Sequence, residues 1–288
     1  MSDDAEVYST VDVPGKVVLV GEYAVLDGGT AVVAAVNIGV SCIVTPANTR
    51  RHHTPGDDRF AAAALDAVNA PAGIYTFSDF NAPKLQGKAG LGASAATVVA
   101  ALIAAGVAKP WPLAAQIHRR VQGSGSGIDV AASCFGGVLS FNGTDVRALQ
   151  PVAPVIVWSG SSASTGPRVA QFLAWKDRRR FLAQMAGAVA VFDADPVSSL
   201  CAARAALAEM ARDSGVDWAT PAHDQIAAEA AACGGAAKPS GAGGGDIAVA
   251  LFPDADREAH FRRRMQALGF PVLNATLSGA PTQRWEPG

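Results

Sequence analysis

Acidic residues are missing from a long internal stretch. Between Asp79 and Asp129 the chain has no aspartate or glutamate, while Lys84, Lys88, Lys109, His118, Arg119 and Arg120 all fall inside it. Charge is sparse overall, at 17% of the 288 residues, and nearly balanced at a formal net of −2. Such a balance argues against a surface built to coat nucleic acid or to be drawn onto an anionic membrane. Aromatics are few, at 7%, so the core must be built largely from alanine and small aliphatics. The four cysteines (Cys42, Cys134, Cys201, Cys233) are scattered, with no C-x-x-C pair and no histidine at metal-ligand spacing. That excludes a disulfide scaffold or a zinc module and reads as reduced core thiols of a cytoplasmic protein. Long apolar runs are lacking too. The charge-free run 28–49 is broken by Asn37, Ser41, Pro46 and Asn48, and the run 89–108 opens on glycines and is mostly alanine. A membrane span needs about 20 predominantly apolar residues, and neither run supplies them. The opening "MSDDAEVYST" is acidic and unlike a secretory leader.

What is present is glycine, in loops beside short β-branched runs. "GKVVLVG" (Gly15 to Gly21) reads as a buried strand, and "TAVVAAVNIGVSCIVT" (Thr30 to Thr45) as one or two more, with a turn or bulge at Asn37 to Gly39. "NTRRHHTPGDDR" reads as a polar loop, in which His52 and His53 are exposed residues or a weak metal pair. A helix from about Asp58 to Asn69 and the strand "GIYTFSDF" follow. Next come a helix from about Ala93, a second from Pro112 to Gln122, and the strands "GGVLSFNG" and "APVIVWSG". The second half reads as helices over about 167–191, 196–213 and 221–233, a glycine-rich strand "GGGDIAVALF", a helix over 257–268 and a last strand "PVLNATLS". The irregular alternation predicts an α+β fold. The proline-bearing connector "RALQPVAP" predicts domains over 1–150 and 151–288.

Three loops concentrate the chemistry. In "KAGLGASAATVVAALIAAG" the pattern Gly90-x-Gly92-x-x-Ala95 satisfies a relaxed dinucleotide fingerprint, but no strand leads into it and no acid follows at ribose distance. No Gly-Lys is followed by Ser or Thr, so the lysine-bearing P-loop is absent as well. What remains is a small-residue loop opening a helix inside an acid-free neighbourhood, where free N–H groups and the helix dipole favour an anion. The plain alternative is a tight turn into a buried helix. "QGSGSGIDVAAS" (Gln122 to Ser133) holds Asp129, the first carboxylate after the acid-free stretch. "KPSGAGGGDIAVAL" places glycine at 241, 243, 244 and 245, each costing roughly 0.5–1 kcal/mol of backbone entropy relative to alanine. One such loop is commonplace; three, beside "VPGKVVLVGEYAVLDGG", point to phosphate chemistry.

In that order and spacing the motifs resemble those of the GHMP kinase superfamily, the small-molecule kinases named for galactose, homoserine, mevalonate and phosphomevalonate. "PGKVVLVGEYAVLDGG" is similar to the first family motif, "GLGASAA" to the second and "KPSGAGGGD" to the third. Within the superfamily, "GEYAVLDG", "HRRVQGSGSGIDVAAS", "WSGSSASTGPRV" and "KPSGAGGGD" most resemble the phosphomevalonate kinases. His118 stands where mevalonate kinases tend to place a magnesium-binding glutamate, which also sets the chain apart from them. Two departures stand out: Ala93 replaces the first serine of the usual "GLGSSAA", and the region between the first and second motifs is short.

The resemblance implies a two-domain fold, ribosomal-S5-like at the N-terminal side and ferredoxin-like at the C-terminal side, with the active site between. It implies ATP and Mg2+ as cofactors, a small-molecule acceptor of the mevalonate (isoprenoid) pathway, no nucleic-acid or membrane partner, and a monomer or homodimer. By this resemblance Lys88, Gly90, Leu91, Gly92, Ala93, Ser94 and Ala95 hold the nucleotide phosphates, with Ser94 near the metal. Lys16 and Asp129 are the catalytic candidates. Lys16 alternatively reads as a solvated strand-start lysine, and Asp129 as the N-cap of a short helix. Glu22, Tyr23, Ser126, Gly127, Ser164, Thr165, Arg168, Ser240, Gly241, Gly243, Gly244 and Asp246 are candidate acceptor contacts; Arg168 reads equally as a surface residue on a first helical turn. The implied reaction takes 5-phosphomevalonate to the diphosphate. The alternatives are another acceptor, such as mevalonate or a sugar, or a silent nucleotide-binding relative.

Overall fold

The computed structural model describes residues 7–287. Two sheets organise them, and strand β1 (Val7–Val20) sits between their halves. β1 pairs antiparallel with β2 (Ala31–Thr45), which is long enough to pair along its other edge with both β4 (Gly73–Phe80) and β5 (Val138–Phe141). β3 (Arg50–His53) adds to β4 in parallel, and β6 (Val146–Ala148) adds to β5. The register of β1 against β2 slips between Pro14 and Gly15, opposite Asn37 and Ile38. This bulge reverses which face each residue presents. Before it, Val11 and Val13 pack with the helices; after it, Val17 and Leu19 face the second half, and Lys16 and Val18 face the helices. Gly15 is required there, because a Cβ would stand 2.6 Å from the Leu91 carbonyl oxygen.

Helices α1 (Arg59–Ala67), α2 (Ala93–Ala104), α3 (Leu113–Gln122) and α4 (Ile128–Phe135) cover this sheet. α2 is apolar all round, and Val98, Val99 and Leu102 are fully buried against Val11, Val13 and Phe77. A single 3-10 turn over Ala24–Asp27 joins β1 to β2.

The second half builds a three-stranded antiparallel sheet in the order β7 (Val155–Trp158), β9 (Ile247–Leu251), β8 (Ala236–Pro239). Strand alternation serves both faces: Val155, Val157, Ala248 and Ala250 meet α8 (Pro221–Ala232) and α9 (Ala255–Ala267), while Ile156, Trp158, Ile247 and Val249 meet β1 and the remaining helices. Those helices are α5 (Thr165–Ala174), α6 (Arg179–Ala190) and α7 (Pro196–Ser214). The core cluster of Val17 and Leu19 with Phe172, Phe181, Met185 and Leu207 therefore spans both halves.

The structure corrects several sequence-based expectations. The expected helix over 167–191 is two helices, broken where the Arg178 guanidinium donates to the carbonyls of Leu173 (3.0 Å) and Trp175 (2.6 Å) and so closes the end of α5. The polar loop "NTRRHH" contains β3, because pairing with β4 satisfies its backbone whatever its side chains are. "PVLNATLS" forms no ladder; it makes only the bridges Val157↔Val272 and Val36↔Leu277 on its way back to the first sheet. There β10 (Thr282–Pro287) pairs with the first half of β1. Cys201 is exposed on α7 rather than part of the core.

Candidate active site

Lys16 leaves β1 just past the bulge with a side chain only 9% exposed. Its Nζ donates to the Gly90 carbonyl at 3.2 Å and lies 3.5 Å from Asp129 Oδ1. Its backbone N–H donates to the Leu91 carbonyl at 2.8 Å. Gly92 is the N-cap of α2 at φ 83°, and a Cβ there would stand 3.0 Å from Lys16 Cγ. The cation is thus held against the glycine loop by strand, loop and carboxylate together. Asp129 lies in the first turn of α4, behind the N-cap Gly127, and is one-third exposed. Ser126 Oγ accepts the Ile128 N–H at 3.3 Å and shapes that entry.

No side chain caps α2, so the N–H groups of Ala93, Ser94 and Ala95 face the loop mouth without intrahelical partners. Ser94 Oγ shares a hydrogen bond of 3.1 Å with His118 Nε2. His118 is buried, and that burial pushes its pKa down while the nearby Asp129 carboxylate opposes the shift. The sequence marks His118 only by its acid-free neighbourhood and by its place at the glutamate position of mevalonate kinases; nothing local signals its tie to Ser94, which comes from the packing of α3 on α2. Lys88 and Arg119 are exposed, and Lys88 is held through its backbone, with Ser162 Oγ accepting its N–H at 2.8 Å and donating to its carbonyl at 3.1 Å.

The third glycine loop, 240–246, closes the other side. Asp246 adopts φ 59°, and its Oδ1 accepts the Ala163 N–H at 3.0 Å. Its Oδ2 points to Gly90, where a Cβ would stand 2.6 Å away. Burial raises the Asp246 pKa, offset by the Ala163 N–H and by Lys16 and Arg168 nearby. Arg168 donates to the carbonyls of Asp217 (2.6 Å) and Ser164 (2.9 Å) against the backbone of Gly244. Ser164 and Thr165 are exposed at the start of α5. Gly244 N donates to the Trp218 carbonyl at 2.6 Å, Gly243 packs on the same residue, and Gly241 is half-buried at the loop tip.

Lys16, the Gly90–Ala95 segment, Asp129 and Asp246 therefore meet at one place. Glu22 and Tyr23 are instead buried behind it: Glu22 is ion-paired with Lys238, and the Tyr23 hydroxyl donates to the Ala242 carbonyl at 2.6 Å. Burial pushes the Tyr23 pKa up. Ser240 Oγ is engaged with Val18, accepting its N–H at 2.9 Å and donating to its carbonyl at 3.0 Å. Lys238 carries no sequence signal beyond its place beside the glycine run.

Comparison with known proteins agrees with this architecture. Residues 197–280 match the family model for the GHMP kinases C terminal domain. The chain has the GHMP kinase fold. It is 27% identical to a phosphomevalonate kinase of Streptomyces sp. (strain CL190), over 91% of this chain and 95% of that one. It is 28% identical to a mevalonate kinase of Archaeoglobus fulgidus, over 83% and 90%. Among solved structures, a Lin0012 protein from Listeria innocua superposes with a TM-score of 0.87 at 23% identity, over 98% of this chain and 100% of that one. The Streptococcus pneumoniae phosphomevalonate kinase in complex with phosphomevalonate and AMPPNP superposes with a TM-score of 0.75 at 18% identity, over 93% and 99%. Among the described residues no helix is long and apolar enough to cross a membrane.

Proposed function

We propose that this GHMP-type chain is an ATP- and magnesium-dependent kinase that phosphorylates 5-phosphomevalonate to the diphosphate. The observation that carries the reading is the placement of Lys16. A nearly buried ammonium stands between the Asp129 carboxylate and the Gly90 carbonyl, at the mouth of the uncapped helix α2. Phosphoryl transfer asks for positioning and for positive charge around the transferred group rather than for covalent chemistry. The free N–H groups of Ala93–Ala95 and the dipole of α2 would receive the donor phosphates. Lys16 would neutralise charge shared between donor and acceptor oxygens. The acceptor phosphate has a second pKa of about 6 and is already ionised near neutrality, so no strong base is required. Asp129 then serves to hold Lys16 and would offer an oxygen to a bound ion.

Among the described residues no group of three or more His, Cys, Asp or Glu side chains could hold a metal. The donors at the loop mouth are the Ser94 hydroxyl and the Asp129 carboxylate, a sparse oxygen set that fits a Mg2+ brought in largely on nucleotide phosphates. When bound, that ion neutralises phosphate charge. On the opposite wall, Arg168 and the loop 240–246, with Asp246, would face the acceptor. The acceptor assignment rests on the motif resemblance, since the chain is 27% identical to the Streptomyces phosphomevalonate kinase and 28% identical to the Archaeoglobus mevalonate kinase. The four free cysteines fit a cytoplasmic setting.

The test is ADP release from Mg-ATP with 5-phosphomevalonate, mevalonate, homoserine and galactose in turn. Turnover confined to phosphomevalonate supports the whole reading. Turnover on an alcohol would make Asp129 the general base and overturn the acceptor. Silence with every acceptor would overturn the kinase assignment.

A further inference from the structure

The segment 18–23 is stitched to 238–242 at three points. Val18 exchanges two hydrogen bonds with Ser240 Oγ, Glu22 is paired with Lys238, and Tyr23 donates to Ala242. The Val18 bonds are possible because β10 covers only the first half of β1 and leaves this edge open. The far end of the same glycine loop reaches the phosphate loop, where Asp246 abuts Gly90, and the Gly90 carbonyl accepts from Lys16 Nζ. These contacts form a closed ring. It runs from Lys16 to Gly90, to Asp246, along the loop to Ser240, and through Val18 back to Lys16.

The ion pair fixes one corner of that ring at a cost. Glu22 and Lys238 have side chains 2% and 0% exposed, and Glu22 Oε2 has no partner. Desolvating two charges offsets most of their attraction, and well-packed apolar replacements of such pairs are often neutral or stabilising. Stability alone is a weak reason for this arrangement. What the pair does supply is direction: Lys238 also donates to the Pro239 carbonyl at 3.1 Å, immediately before Ser240.

We propose, resting on the kinase reading above, that Glu22 and Lys238 are positioning residues that lock loop 240–246 onto β1 and thereby set Lys16 against the phosphate loop. Glu22 acts through Lys16 and does not touch the acceptor.

The experiment compares the wild-type chain with the Glu22→Gln/Lys238→Met double variant, which removes both charges at nearly constant volume. It measures thermal stability, kcat and KM for the acceptor, and amide hydrogen exchange over 88–92 and 240–246. The expected result is a Tm within a few degrees of wild type, kcat lower by about tenfold or more, acceptor KM changed by less than about threefold, and faster exchange in both loops. Unchanged kcat and exchange would overturn the proposal, as would a defect confined to acceptor KM. A wild-type chain silent with every acceptor defeats the kinase reading separately, and the exchange data still decide whether the pair locks the loop. If the double variant does not fold, Glu22→Gln removes the carboxylate charge while its amide oxygen can still accept from Lys238. It is expected to lower kcat by about twofold to fivefold and to speed exchange at 240–246, and no change in either would again overturn the proposal.

Discussion

The Ser94 hydroxyl lies 3.1 Å from Nε2 of His118, whose ring stacks on Phe60 at a centroid distance of 5.2 Å. The imidazole is 5% exposed and burial keeps its pKa down, so at neutral pH it meets Ser94 as an uncharged partner. A hydroxyl fixed on one side has its remaining hydrogen-bonding capacity held toward the loop mouth. Partners behind a metal-facing group commonly change affinity by 10–100-fold when removed. His118→Leu is therefore expected to raise KM for Mg-ATP by about tenfold with a smaller effect on acceptor KM, and His118→Gln should recover part of the loss. A magnesium titration at fixed ATP checks it. Equal effects on both substrates would show that His118 only fills space.

Lys16 offers a direct test of the electrostatic argument. Its side chain is almost buried, so methionine replaces its stem and removes only the charge and its two contacts. Loss of a preorganised charge at a transferring group typically costs 10²–10³ in kcat, and Lys16→Met is expected to fall by at least that much. The Tm should stay close to wild type. A variant retaining near-normal turnover would remove Lys16 from the mechanism.

Gly90 has two independent reasons to be glycine. Its φ is 68°, and a Cβ would press on Asp246 Oδ2. Left-handed backbone costs roughly 1–2 kcal/mol for an alanine, and Asp246 would also have to move. Gly90→Ala should lower the Tm by several degrees and reduce kcat beyond what stability explains, because Asp246 anchors Ala163 and the third loop. Circular dichroism melts and initial rates on the same preparation separate the two effects.

The readable parts of the fold were those whose pattern is local. β1 announces itself by β-branched residues between glycines, and α2 by an apolar run opening on a glycine N-cap. β3, β8 and β10 did not, since "RRHH", "AAKP" and "TQRWEP" take strand form from their partners β4, β9 and β1. The helix break before Arg178 depends on one guanidinium reaching backward to carbonyls that the sequence does not mark. The site divides the same way. Its three glycine loops were legible because dense glycine is costly and uncommon. The Ser94–His118 and Glu22–Lys238 pairings were not, because each joins residues brought together only by packing between elements.

His223 sets the behaviour of the fold in acid. It is fully buried at the third position of α8, where its Nδ1 accepts the Thr220 N–H at 3.2 Å and its own N–H donates to Thr220 Oγ1 at 3.3 Å. Burial first, then the neighbouring Arg204, pulls its pKa from 6.5 to about 4, with Asp224 opposing. The folded chain thus keeps this imidazole neutral, while an unfolded chain binds a proton below about pH 6.5. Stability is therefore full above that value and falls as the pH drops from about 6.5 toward 4, by about 2 kcal/mol between pH 7 and pH 5. His118, shifted in the same direction, adds to the slope. Glutamine at this helix position can still bond back to the N-cap N–H, as in an ordinary capping box, but does not titrate. Urea unfolding of wild type and His223→Gln at pH 5, 6 and 7 should give a flatter pH dependence for the variant; identical slopes would show that the acid sensitivity arises elsewhere.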